Sequence, residues 1–540
     1  MQASFGRLLH FTYHAQTARG RRLPTGWERE LRIMKDTPMR PASVTMITIG
    51  TMLATLMQAL DMTISNVALP YMAGTFAASY DESTWVLTSY IVAAAIMTPP
   101  TGWLAAKFGR RRLFLTSVFG FTATSALCGL SGSLTGAVVS RSLQGLFGAA
   151  LVPLSQATLL DNYPPERHAY AMAIFGIGIM LGPILGPTLG GWLTENWTWR
   201  WVYFINVPVG AVAALLIWRY VRETDRSDPP AFDIFGFLAI SVAVACLQVV
   251  LDRGEIKDWF GSTQIIIIAL IASISFYLFL VHTFTVRSPF ISPDLFLNRN
   301  FLLGSMFIFI IGIVLFGTLA LFPPFLQELL DFPVVTVGIL LAPRGIGTMI
   351  AMLIVAQLAT AVQPRLLMIF GFLVCAYAMW GMATFSLQIG PRDVFLWGVV
   401  QGFGVGFIFP PLTSTAFSTL PPARRTEAAG IYNLVRNIGS SVGISIMTAL
   451  IDRNTQINHA TIAGPLSPFN RTLHQPPYTA FFNVETPRGL SLLNEQVTKQ
   501  AAMIGYIDDF KLMMLVTLLA APFALMMKVS HINVRRENKY

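Results

Sequence analysis

The chain reads as an all-α membrane protein with fourteen transmembrane helices, and three observations lead there. Of its 540 residues, 54% are apolar and only 12% are charged, about half the usual ~25% and too little to cover a water-facing surface. Fourteen segments are long and apolar enough to cross a ~30 Å hydrocarbon core, which takes about 20 helical residues. The loops between them alternate between basic and charge-poor. The same composition excludes disordered, collagen-like and coiled-coil chains, and three cysteines do not make a disulfide scaffold.

The segments follow in order. Residues 1–45 form a basic, polar N-terminal arm, read as a solvated cytoplasmic tail or a lipid-headgroup contact; Met34 and Met39 are alternative starts, and no cleavable signal peptide is expected. The expected spans are 46–70, 85–106, 112–131, 134–160, 168–193, 201–220, 234–250, 263–283, 301–323, 335–360, 366–388, 394–418, 427–451 and 511–530. Lipid offers backbone groups no water, so each must be a helix. Lys107, Arg110, Arg111 and Arg112 lie between spans 2 and 3, and later even-numbered loops carry Arg167, Arg222, Arg287, Arg365 and Arg424. The odd loops are sparse, with Asp81, Glu82, Glu328 and Asp331. Excess positive charge marks the cytoplasmic side. Both termini, including the tail 531–540, are therefore expected in the cytoplasm, which requires an even number of spans. This placement accounts for most of the net charge of +10 without a nucleic-acid partner. The external segment 452–510 reads as irregular in its proline-bearing first half (Pro465, Pro468, Pro476, Pro477, Pro487) and as an amphipathic helix over 490–505. That helix is either solvated or a docking surface. Trp197, Trp199 and Trp201 are expected in an interfacial aromatic belt. Cys128, Cys246 and Cys375 lack metal-ligand spacing and read as small buried apolar residues.

Four ionisable residues stand well inside the spans: Asp61, Arg141, Arg344 and Arg436. Such residues are costly in hydrocarbon and are functional candidates by default. Asp61 is the only acid among them, so it is the candidate proton carrier. At ~1.5 Å per residue, Asp61 in span 1 and Arg141 in span 4 fall at similar depth. They can form a contact that switches during transport or a permanent bridge between the two helices. Arg344 and Arg436 either bond oxygens of neighbouring helices or face a cavity and attract acidic substrates. Gln58, Asn66, Tyr90, Gln144 and Gln156 are further candidate cavity residues. Gly182, Gly186, Gly190 and Gly191 share a helix face on which small residues permit close packing, and Pro183 and Pro187 favour a kink. No phosphate-cradling loop, metalloprotease motif or serine-hydrolase motif is present, so neither an ATP motor nor an enzyme is expected.

Several stretches occur in order at matching spans: Leu60–Pro70 in span 1, Gly102–Arg112 after span 2, Arg141–Gly145 and Pro153–Gln156 in span 4, Gly182–Gly191 in span 5, and Trp199–Gly210 at span 6. Gly430–Gly439 and Gln500–Phe510 add to them. Together they resemble the major facilitator superfamily, most closely its fourteen-span drug:proton antiporter branch of EmrB and QacA type, and within it the EmrB-like members. The resemblance runs over about residues 46–530.

The resemblance implies two six-helix bundles, 46–220 and 301–530, with spans 7 and 8 inserted in a linker at 221–300. It marks Gly182, Pro183, Gly186, Pro187, Gly190 and Gly191 as the antiporter signature. It marks Gly102, Gly109, Arg110 and Arg111 as a cytoplasmic gating loop. The usual acid of that loop is Ala106 here, which puts a charge-relay latch in doubt. The function implied is proton-coupled efflux of hydrophobic or amphipathic compounds across a bacterial inner membrane. It would be driven by the proton gradient without a cofactor, with a membrane-fusion adaptor and an outer-membrane channel as partners. A dedicated exporter of one metabolite, such as a fatty acid or siderophore, is the nearer alternative. A non-transporting receptor on the same fold is the more distant one.

Overall fold

A computed structural model of the chain describes residues 41–528 except 224–230, 360, 422–423, 467–469, 471–472, 474, 476–481 and 483–485. The arm up to residue 40 and the tail 531–540 therefore lie outside the described residues, as do Pro468, Pro476 and Pro477. Among the described residues there is no strand. Thirteen of the described helices are long and apolar enough to cross a membrane, and Trp85–Met97 is a shorter apolar one. That helix is the first part of span 2. The tandem Pro99-Pro100 removes two backbone donors, and the span resumes as Thr101–Phe108. Counted this way, the fourteen spans of the sequence reading are all present.

The other spans are Pro41–Phe76, Arg110–Leu130, Leu134–Gly148 with Leu151–Asn162, His168–Asn196, Trp201–Phe204 with Asn206–Tyr220, Ile234–Arg253, Thr263–Thr285, Arg299–Pro324, Val334–Leu358, Pro364–Met382, Pro391–Ser418, Arg425–Ala463 and Pro487–Phe523. Three local expectations are corrected. The segment after span 13 is not irregular at once: the helix continues to Ala463, and Gly464-Pro465 ends it. Pro487 does not break structure but opens a helix, a position where its missing N–H costs nothing, while Thr486 caps the Gly489 N–H at 3.1 Å. The 490–505 helix and span 14 are one element that stops at Phe523 rather than near 530. At ~1.5 Å per residue, spans 13 and 14 are each longer than 50 Å and outrun a ~30 Å core. The two helices stay together beyond it, with His459 Nε2 3.0 Å from Asn494 Oδ1.

Trp199 is also not in the belt. It is 4% exposed, donates from Nε1 to Thr75 Oγ1 at 2.9 Å, and packs edge-on to Phe76. Trp197 and Trp201 are exposed and stack edge-to-face on each other. Cys128 and Cys375 are buried, but Cys246 is only half-buried.

Span 7 lies against both span 2 and span 13. Gln248 Nε2 donates to Ser441 Oγ at 2.8 Å, and Ser445 Oγ donates to Leu251 O at 2.7 Å. Arg253 donates to Thr84 Oγ1 at 3.0 Å and stacks over Trp85. Span 8 leaves Leu270, Ile274 and Tyr277 exposed, as a lipid-facing helix should. Asp233 ties the base of this pair together. It caps Gly236 N at 2.9 Å, accepts from Phe290 N at 3.0 Å, and lies 2.8 Å from His282 Nε2. Burial pushes its carboxyl up, but these donors outweigh burial and hold it below the usual carboxylate range.

Candidate functional site

Asp61 and Arg141 meet. Arg141 Nη1 donates to Asp61 Oδ2 at 2.5 Å, with the two side chains 1% and 0% exposed. A buried ion pair recovers its desolvation cost only when the remaining lone pairs and protons are also satisfied. Here Asp61 Oδ1 accepts from Gln144 Nε2 and Asn206 Nδ2, both at 2.9 Å. Arg141 Nη1 also reaches Gln144 Oε1 at 2.8 Å, and its Nε reaches Val86 O at 3.4 Å. The guanidinium lies 4.4 Å from the Tyr90 ring centre. Asn206 is held in turn by Ser125 Oγ at 3.0 Å, and Ser125 donates to Tyr203 O at 2.9 Å. Spans 1, 2, 3, 4 and 6 all contribute to this cluster.

Beside it lies a cavity of about 320 Å³, a size typical of small-molecule sites. Gln58, Asn66, Tyr90, Arg141, Arg344 and Arg436 line it, with an apolar remainder that includes Met62, Ile91, Leu315 and Phe316. Two expected lining residues are elsewhere. Gln144 sits behind Arg141 on the carboxylate, and Gln156 Oε1 accepts from Asn433 Nδ2 at 3.0 Å between spans 4 and 13. Asp61 itself does not line the cavity, whereas its partner Arg141 does.

On the basic-loop side the protein is closed. A Cβ on Gly102 would stand 2.5 Å from Glu427 Cα, and one on Gly430 would stand 2.8 Å from Thr98 O. Only glycine allows these approaches of spans 2 and 13. Arg110 bonds Asp161 and, at 3.0 Å, Thr426 Oγ1. Arg425 Nη1 reaches the other Asp161 oxygen at 2.9 Å. At this closure the acid that holds the arginines is Asp161, at the end of span 4. Gly109 has φ +92°, a region that favours glycine. Arg111 bonds Trp218 O, and its N–H donates to Glu223 Oε1 at 3.0 Å. Asp161→Asn is expected to loosen this closure by about 1–2 kcal/mol, since a charged hydrogen-bond acceptor for two arginines is lost at a partly exposed site. Phe409 of span 12 is 5% exposed and stacks on Phe175 of span 5, and a cysteine placed there, with the three native cysteines replaced, should then react roughly tenfold faster with an impermeant maleimide from that side. An unchanged rate would show that Asp161 does not hold the closure.

Spans 1 and 5 pack through glycine. A Cβ on Gly182 would come 2.5 Å from Ala59 C, one on Gly186 2.1 Å from Thr63 Oγ1, and one on Gly190 2.8 Å from Ile64 Cγ1. Thr63 Oγ1 donates to Gly182 O at 3.0 Å. Gly191 is the exception to the expected face: a Cβ there would meet nothing within 4 Å. Neighbouring residues are about 100° apart round a helix, so Gly191 points well away from the direction of Gly190. Pro183 lines the cavity; Pro187 lies within the same helix.

Sequence reasoning missed Asn206, Ser125 and Asp161. Asn206 was visible only as a marker inside the Trp199–Gly210 stretch, yet a lone amide in an apolar span was the available signal. The count of one membrane carboxylate also needs amending, since Asp509 in the span 14 helix is 1% exposed.

Fold and site together define a membrane transporter with a central cavity beside a buried ion pair. Residues 51–444 match the model of the Major Facilitator Superfamily, and the chain belongs to that family. Within it the chain is EmrB-like. It is 35% identical over 485 residues to the multidrug export protein EmrB of Haemophilus influenzae, covering 88% of this chain and 94% of that protein. It is 32% identical over 476 residues to the fatty acid resistance protein FarB of Neisseria gonorrhoeae, again covering 88% and 94%. Among solved structures, the proton:xylose symporter XylE superposes with a TM-score of 0.61 at 13% identity, covering 90% of this chain and 96% of that one. The fold is shared with that symporter.

Proposed function

We propose that the protein is a proton-coupled multidrug efflux antiporter that exports hydrophobic or amphipathic small molecules. The observation that carries this reading is the buried Asp61–Arg141 pair, its carboxylate held by Arg141, Gln144 and Asn206, with Arg141 and not Asp61 lining the cavity. In the arrangement seen, the basic-loop side is closed and the carboxylate accepts from Arg141, Gln144 and Asn206. A proton arriving on Asp61 removes the attraction that holds Arg141. The guanidinium is then free to turn into the cavity, and the helices carrying the pair are free to repack. Loss of the proton on the other side restores the pair. The glycine-lined contact of spans 1 and 5 lets the helices slide in close contact. The relatives named as multidrug export proteins support the same reading.

The charge pattern supports both termini in the cytoplasm, and the similarity to bacterial export proteins supports an inner-membrane location. Two bundles, 46–220 and 301–530, with spans 7 and 8 as an added pair, fit the packing described above. The gradient supplies the drive, with no cofactor. The paired extensions of spans 13 and 14 are the surface we assign to a membrane-fusion adaptor that leads to an outer-membrane channel. The similarity to FarB favours one second reading, a dedicated exporter of fatty-acid-like molecules.

Reconstituted protein in vesicles with an imposed pH gradient should extrude an amphipathic dye against its own gradient, and a protonophore should stop it. Dye movement that ignores the pH gradient would overturn the antiport reading.

A further inference from the structure

Two of the cavity's three arginines have no counter-charge. Arg141 is neutralised by Asp61. Arg344 and Arg436 also line the cavity, and no aspartate or glutamate does. Neither forms an ion pair among the described residues. Arg344 is 7% exposed and spends one Nη2 proton on Leu315 O at 2.9 Å. Its Nε is buried without a partner. Arg436 is half-buried; its Nη2 reaches Asn437 Oδ1 only at 3.4 Å, and its Nε too is buried without a partner.

The two residues come from spans 10 and 13 and flank one stretch of span 9. Arg344 is bonded to Leu315 O. The Arg436 backbone lies against Gly312, where a Cβ would stand 2.6 Å from Arg436 O. Leu315, Phe316, Leu319 and Ala320 of the same span form an apolar wall of the cavity. Two guanidinium groups held at an apolar-walled cavity without an acid are costly, and an anion that accepts their free N–H groups lowers that cost. A planar guanidinium offers a fork of donors that suits an oxyanion. The wall beside it suits an alkyl or aromatic body.

We propose that Arg344 and Arg436 form a cationic clamp that binds the oxyanion of amphipathic substrates, a carboxylate or sulfonate on a hydrophobic body lying along span 9. The clamp deepens the efflux reading by giving its substrate class. It is tested by equilibrium binding, which needs no proton gradient, so it can fail while proton coupling stands, and the reverse.

The probes are 1-anilinonaphthalene-8-sulfonate and N-phenyl-1-naphthylamine, the same ring system without the sulfonate. Binding is read by fluorescence in phosphatidylcholine nanodiscs, against empty discs. The wild-type protein should bind the sulfonate at least about tenfold more tightly than the neutral amine, the effect expected for a charge-assisted hydrogen bond. Arg344→Gln and Arg436→Gln should each reduce that preference, and the double substitution should abolish it. The neutral amine should bind the double variant as it binds the wild type, which reports an intact cavity. Equal affinities in the wild type would overturn the proposal without any variant. So would a preference that survives the double substitution. Discs containing phosphatidylglycerol separate a substrate site from a lipid site: if that lipid displaces the sulfonate, the clamp belongs to the bilayer and the proposal fails.

Discussion

Asp61→Asn is expected to abolish proton-driven efflux, by a hundredfold or more, and to destabilise the folded protein as well. The second effect follows from the geometry. The substitution leaves Arg141 as a charge that is 1% exposed with no counter-ion. Breaking a buried pair by removing one partner costs about 3–5 kcal/mol. A loss of transport in this variant alone would therefore be ambiguous. The double variant Asp61→Asn with Arg141→Met removes both charges and fills the space with an unbranched apolar chain. It is expected to recover most of the thermal stability and none of the coupling. Proton release on substrate addition, measured alongside the unfolding temperature in detergent, separates the two. If either variant still extrudes substrate in response to a pH gradient, Asp61 is not the carrier. If the double variant is no more stable than the single one, the pair does not have the buried energetics its distances imply.

Gly186→Val is expected to be the most damaging single change at the contact of spans 1 and 5. Its first added carbon would stand 2.1 Å from Thr63 Oγ1 and 2.8 Å from Thr63 Cβ. Thr63 cannot simply turn aside, because the same hydroxyl donates to Gly182 O. The helices must separate, at a cost of about 1–3 kcal/mol for overpacking, and a helix pair that must slide during transport would bind in one position. Transport should fall at least tenfold with the protein still folded. Gly191→Ala provides the control: nothing lies within 4 Å of its added carbon, so transport and stability should match the wild type. Equal effects of the two substitutions would show that the glycines act through backbone flexibility and not through close approach.

The sequence reading singled out Asp61, Arg141, Arg344 and Arg436 within the spans, but it left their partners open and passed over Asp509. Asp61 and Arg141 were paired by depth alone. That worked because rise per residue is fixed and both helices cross the same thickness. Depth gave no hint that Arg141 and not Asp61 would line the cavity, or that Gln144 would serve the carboxylate while Gln58 and Asn66 served the cavity. Those outcomes depend on how each helix is rotated about its own axis. A helix apolar all round carries no stripe from which rotation can be read. Ala106 shows the same limit in another form. The loop carries alanine there, and its Arg110 finds an acid 55 residues beyond that alanine, Asp161.

The number of spans and the alternation of basic and sparse loops are thus determined by the amino-acid sequence itself. Each depends only on length, hydropathy and local charge, which the bilayer reads residue by residue. Tertiary packing alone decided that Asn206 reaches Asp61, that Asp161 binds Arg110 and Arg425, and that Gly191 faces open space while Gly186 meets Thr63. The reason is physical. Pairing between helices distant in sequence is set by shape and by the need to satisfy every buried polar group at once, and neither condition is visible in one span taken alone.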